Sequence, residues 1–154
     1  MIESFRDLLN AGFGVKTLDI KEINDLYNTI CNEEPIEEMI RNHCAYYLKK
    51  PDFVDIQTIT KGNSYQVDKT DFAKQILKAE NPFDIINQMP CTLKLAGLQV
   101  TSPAIKSFLR AVYKKFKISI FSNMYISPPG DTQGYTYHVD PHKVFMIHLR
   151  GVKR

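Results

Sequence analysis

The chain has 154 residues, room for one domain with a sizeable core, and its 20 Lys and Arg against 17 Asp and Glu give a formal net charge of +3. With 44% hydrophobic and 24% charged residues it is globular in composition, which excludes a disordered chain, and so small a positive surplus gives no direct signal for nucleic acid. The three cysteines lack CxxC spacing, and no run reaches the roughly 20 apolar residues of a membrane span or the apolar core of a signal peptide, so a cytoplasmic protein with no membrane partner is expected.

The first fifty residues have the spacing of helices. Leu18, Ile23, Leu26, Tyr27 and Ile30 make one apolar stripe, with Thr17 or Asp19 as a candidate cap. Pro35 then opens a second helix that turns Ile36, Met39, Ile40 and Tyr47 inward. No chemistry is visible in this stretch, and His43 reads as incidental. Residues 1–50 are therefore expected to form a helical N-terminal region.

Lys49-Lys50-Pro51-Asp52 breaks that pattern. Residues 53–60 alternate and are rich in β-branched side chains, which predicts a strand, and Lys61-Gly62-Asn63-Ser64 predicts a turn. Asp68 is placed to cap a short helix carrying Phe72, Ile76 and Leu77, which Asn81-Pro82 ends. Thr92 to Leu95 reads as another strand. Ser102-Pro103 starts a helix with Ser as N-cap and Pro in the first turn, and Ile105, Phe108, Leu109, Val112 and Phe116 give it an apolar face. Lys114, Lys115 and Lys117 suit the negative end of its dipole. From Ile118 the period becomes two, predicting a strand through Ile126; Pro128-Pro129-Gly130-Asp131 turns the chain, and a further strand is expected from Lys143 to Leu149. The predicted order is helices first, then strands.

The chemistry lies in His138-Val139-Asp140. In an extended segment residues i and i+2 share a face, so an imidazole and a carboxylate project together, as two legs of a facial triad that binds iron(II) and leaves positions open for a 2-oxo acid and dioxygen. His142, in a turn after Pro141, and His148, in an alternating segment, lie nearby. Asn123 and Tyr125 share one face of a strand.

The run from Ser122 to Lys153 resembles the core of the JmjC/cupin-like oxygenases, a group that includes the ribosomal oxygenases, which hydroxylate ribosomal proteins. Four pieces match in order: the Ser122-Asn123-x-Tyr125 strand, the Pro128-Pro129-Gly130 turn with Gln133-Gly134, the His138-x-Asp140 pair, and Val144-Phe145 through Leu149, Gly151 and Lys153. Leu95 to Pro103 and the helix after it resemble the segment that leads into that core. The resemblance implies an α+β chain, with residues 51–154 forming the first part of a cupin-like double-stranded β-helix behind the helical region. It implies an iron(II)- and 2-oxoglutarate-dependent hydroxylase acting on a protein side chain or a small molecule, a ribosomal protein among the candidates. It makes His138 and Asp140 the catalytic metal ligands, Lys153 the partner of the distal carboxylate of 2-oxoglutarate, and Asn123 and Tyr125 contacts to that co-substrate. A cation and hydroxyl donors are what a buried carboxylate needs.

The family pattern has a third ligand, a histidine several strands beyond the pair, and no histidine follows His148. The sequence is therefore expected to be a fragment of the complete domain. A non-catalytic interaction protein on the same scaffold is the alternative, and a cupin binding another metal is a third reading. Half a barrel leaves open strand edges, so self-association into a homo-oligomer is also expected of the isolated piece.

Overall fold

The computed structural model describes residues 28, 30–141, 144, 146–147 and 148–151. The apolar stripe Leu18–Tyr27 with its candidate caps, and His142, Lys143, Phe145 and Lys153, lie outside the described residues. The elements run α1 (Ile36–Lys49), β1 (Asp55–Thr60), β2 (Asn63–Ser64), α2 (Lys69–Lys78), α3 (Pro82–Ile86), β3 (Thr92–Ala96), α4 (Leu98–Thr101), α5 (Pro103–Phe116) and β4 (Asn123–Ile126). The chain is α+β as expected, but helices and strands interleave. The element-by-element reading from residue 53 onward already alternates strand and helix, and the structure keeps that alternation.

The strands form one antiparallel sheet in the order β2-β1-β3-β4. Lys61 and Gly62 both have positive φ, 49° and 79°, as a two-residue hairpin between Thr60 and Asn63 requires. In register, Ile56, Leu95 and Met124 lie side by side on one face, and Leu93 is flanked by Thr58 and Ile126. This face packs against the helices. Burying it together with Ile36, Met39, Ile40 and Cys44 of α1 and Phe72, Ala73 and Ile76 of α2 makes one continuous core. The fully buried Met39, Ile40, Ile56, Ile76, Leu93 and Leu95 each contribute on the order of 1.5–3 kcal/mol by leaving water. Cys31, Cys44 and Cys91 are free and buried in it or beside it.

The helix ends are satisfied by the residues the sequence offers. The carboxylate of Asp68 accepts from the Asp71 amide at 2.9 Å, and the Ser102 hydroxyl accepts from the Ile105 amide at 3.2 Å. Asn81-Pro82 does not merely end α2, as the sequence predicts; Asn81 caps a further short helix, accepting from the Phe83 amide at 3.0 Å, with Pro82 in its first turn. Arg41 of α1 donates to the carbonyls of Ile76, Ala79 and Glu80 at the end of α2, joining the two helices through groups that would otherwise be unpaired.

Two polar residues are buried in the frame. His43, which the sequence marks as incidental, is fully buried: its Nε2 donates to the Asp55 carbonyl at 3.1 Å, leaving Nδ1 to accept from the Thr101 hydroxyl at 3.1 Å. Burial holds its pKa below the usual imidazole value, against the opposing pull of the Asp55 carbonyl and carboxylate. Glu34 accepts from the Asn42 amide at 2.9 Å, from the Ser102 hydroxyl, and from the Ala104 backbone N–H at 3.4 Å, so a carboxylate sits at the positive end of α5.

Two strand expectations and one helix-packing expectation differ. Ile118 to Phe121 form no ladder, and β4 starts at Asn123. The described residues between 143 and 149 form no strand either. Leu77, expected inside, is 38% exposed, because α2 turns Phe72, Ala73 and Ile76 to the core. Ile147 and Leu149 still pack on the core, and Arg150 lies over the Phe83 ring at 4.9 Å, so this segment runs back against the helices. No helix among the described residues is long and apolar enough to cross a membrane.

Candidate metal site

The sheet's second face carries the candidate site. Because Met124 is drawn into the core beside Leu95, its neighbours Asn123 and Tyr125 are turned to the opposite, exposed face. Asn123 accepts there from the Gly97 amide at 3.4 Å. Tyr125 pairs with Lys94 on β3, whose ammonium lies 5.9 Å from the ring centroid.

Beyond the proline turn the chain crosses over the β1–β2 hairpin. The Lys61 and Gly62 amides donate to the carbonyls of Gln133 and Gly134 at 2.8 and 2.7 Å. A glycine is needed at 134: a Cβ there would meet the Thr92 hydroxyl at 2.8 Å. This anchoring delivers Tyr135 to Tyr125, with ring centroids 5.9 Å apart and edge to face, and His138 to Tyr135, at 5.2 Å. Burial chiefly raises the Tyr135 phenol's pKa; a hydrogen bond with Tyr125 opposes the rise and the Asp140 charge adds to it.

His138 Nδ1 lies 2.8 Å from the Thr136 carbonyl. A carbonyl only accepts, so Nδ1 carries the proton and Nε2 is left with a free lone pair. That atom lies 3.7 Å from a carboxylate oxygen of Asp140, too far for a hydrogen bond. The two side chains are 50% and 43% exposed, while Val139 between them is 94% exposed. A divalent ion takes such donors at about 2.0–2.2 Å each, so at 3.7 Å the imidazole lone pair and the carboxylate oxygen reach one ion only at a wide angle, and the right-angled pair of a facial triad requires them to close to about 3 Å. The backbone partner on Nδ1 is the kind of outer support that fixes a ligating imidazole's tautomer. An imidazole nitrogen and a carboxylate oxygen are donor types that iron(II) accepts. Among the described residues no three His, Cys, Asp or Glu side chains gather into a metal site.

The structure therefore brings His138, Asp140 and Tyr125 onto one face through Tyr135, with Asn123 two residues from Tyr125 on the same face. Lys153 lies outside the described residues. His148 is exposed, with Nε2 on the Arg150 carbonyl at 2.9 Å.

Against known proteins, the chain is 25% identical over 160 aligned positions, 99% of its length, to the bifunctional lysine-specific demethylase and histidyl-hydroxylase NO66 of Dictyostelium discoideum. It is 35% identical over 66 positions, 43% of its length, to ribosomal oxygenase 1 of Rattus norvegicus, and 33% identical over 66 positions to the same-named protein of Homo sapiens. The chain resembles the ribosomal oxygenases. It spans 28% of the length of the Dictyostelium relative and 11% of the rat one. No protein-family model and no solved structure matches it.

Two residues near the site escaped sequence reasoning. Tyr135 could have been suspected, being an aromatic three residues before His138. Lys94 carried a plainer signal, a cation in the middle of the apolar strand Thr92–Ala96, which must point away from the core.

Proposed function

We propose that this chain is part of an iron(II)- and 2-oxoglutarate-dependent oxygenase that hydroxylates a protein side chain. The observation that carries the reading is the His138 imidazole, whose proton is committed to the Thr136 carbonyl and whose free nitrogen faces Asp140 at 3.7 Å. Iron(II), when bound, supplies the activation of dioxygen that couples decarboxylation of 2-oxoglutarate to succinate with insertion of one oxygen atom into a substrate C–H bond. His138 and Asp140 hold the ion. Tyr135 packs beside the imidazole and limits its rotation. Asn123 and Tyr125 offer an amide and a phenol to the co-substrate, and Lys153 offers the cation for its distal carboxylate.

On this reading residues 1–50 are a helical region and residues 51–154 begin a JmjC-like domain whose strands belong to a double-stranded β-helix. The relatives' names point to a histidine or lysine side chain as substrate, in a ribosomal protein among other candidates.

Anaerobic titration with iron(II) tests the assignment. His138→Ala and Asp140→Ala are each expected to weaken binding at least tenfold, the scale set by losing even an outer partner of a metal ligand. Equal affinity in the parent chain and both variants would leave the alternative, a scaffold of the same fold without a working centre.

A further inference from the structure

The modest overall charge conceals a one-sided distribution. Residues 97–130 contain five cations, Lys106, Arg110, Lys114, Lys115 and Lys117, and no acid; +5 here in a chain of +3 leaves −2 for the remainder. Helix α5 sorts these charges. Ala104 and Val112 are buried and Ile105 and Phe108 pack on the core or beside it, so Lys106, Arg110 and Lys114, one turn apart, line the opposite exposed face. At a rise of about 1.5 Å per residue the three span roughly 12 Å. Among the described residues none of the three has a carboxylate partner. They border an open depression of about 500 Å³ that Pro103, Ser107 and Ala111 also line.

The same face carries an aromatic ring. Tyr113 is 52% exposed, and the Lys117 ammonium lies 6.0 Å from its centroid. A row of unpaired cations would attract any polyanion. An exposed ring set within the row adds a flat surface on which a base can stack, a contact that a simple acidic chain such as oligoglutamate does not offer.

We propose that this face of α5 binds single-stranded nucleic acid, with Lys106, Arg110 and Lys114 on successive phosphates and Tyr113 stacked on a base. None of these residues takes part in the candidate metal site.

The test uses the full chain and fluorescence anisotropy with labelled 12-nucleotide oligouridylate and oligothymidylate at low salt. Binding is expected, with log K falling against log salt by about 2 for three neutralised phosphates at roughly 0.7 each. The triple variant Lys106→Gln/Arg110→Gln/Lys114→Gln is expected to bind at least tenfold more weakly with a flattened slope, its fold checked by circular dichroism. Tyr113→Ala is expected to lose several-fold in affinity at an unchanged slope, and Tyr113→Phe to retain the parent's binding. Comparable binding of the two oligonucleotides means that the phosphodiester strand and base face are read without the sugar; RNA preference adds a hydroxyl contact. No binding of either, an unaffected triple variant, or an oligoglutamate competitor that displaces the strand equally well and is indifferent to Tyr113→Ala would overturn the proposal.

Discussion

Gly134 lies so close over Thr92 that a single added carbon would come within 2.8 Å of the threonine hydroxyl and 3.0 Å of its Cβ. The segment bearing His138 and Asp140 is thereby seated on the sheet through a contact that only a hydrogen at position 134 allows. Gly134→Ala should lift that segment, costing about 1–3 kcal/mol in stability as overpacking does, and should weaken iron(II) binding although neither ligand is touched. Thr92→Ala in the same chain removes the hydroxyl and methyl that clash and should recover part of both losses. Thermal melts and metal titrations of the two variants check this; a Gly134→Ala protein with unchanged metal affinity would separate the seating from the site.

The buried His43 makes stability depend on pH. Its folded pKa lies below the 6.5 of a free imidazole, so between the two values the unfolded chain takes up a proton that the folded one does not. Stability from this group is complete above about pH 6.5 and falls as pH drops below it. Asp55 acts lower: burial alone would raise its pKa, but hydrogen bonds from Lys69 and Gln57 carry it below 3.8, so its contribution is lost as pH falls below 3.8. Urea midpoints measured from neutral to mildly acid pH should fall for the parent chain. His43→Gln should be less stable at neutral pH, by about 1–3 kcal/mol for an imperfectly paired buried group, and flatter across that range. A parent chain equally stable at both ends would refute it.

Glu34 joins the end of the first described turn to the start of α5. Glu34→Ala leaves the Asn42 amide, the Ser102 hydroxyl and the Ala104 N–H without their shared acceptor. A loss of about 3 kcal/mol is expected, seen as a lower urea midpoint at an unchanged slope. A changed slope would mean that the substitution alters the compactness of one of the two states instead.

For the co-substrate, Lys153→Ala should lower 2-oxoglutarate affinity on the order of a hundredfold or more, the effect of leaving a desolvated carboxylate unpaired, with iron(II) affinity nearly unchanged. Tyr125→Phe and Asn123→Ala should each cost about 1–3 kcal/mol of binding. Calorimetry with a redox-inert metal reads all three. Wild-type affinity in the Lys153 variant would move the distal carboxylate elsewhere, and Lys94, on the face of Tyr125, would be the next cation to change.

Features set by a few neighbouring residues were legible in the sequence. Asp68 and Ser102-Pro103 declare helix starts because a capping oxygen acts within three residues. Lys61-Gly62 declares a turn because glycine adopts positive φ readily, although the turn proves to be two residues of a hairpin and not four. The face shared by Asn123 and Tyr125 follows from a period of two. What depended on distant partners was hidden. His43 takes its place from Asp55 and Thr101, and Glu34 from Ser102, 68 residues away. Ile118 to Phe121 alternate like a strand yet pair with nothing in the described sheet, since alternation supplies a surface and not a neighbour. His138 and Asp140 were legible as a pair, but the tautomer that frees Nε2 depends on a backbone carbonyl that no motif records.

The buried thiols turn the molecule into its own clock. Burial pushes Cys44 up to about 12 and raises Cys91, and it raises Cys31 with help from the Glu37 charge. Alkylating reagents attack thiolates, so in the closed molecule all three sulfurs should be silent, and modification must wait for an opening event. Cys44 reports the release of α1, and Cys91, just before β3, reports the release of the sheet. Comparing their alkylation rates would show whether helix and sheet part together or in sequence.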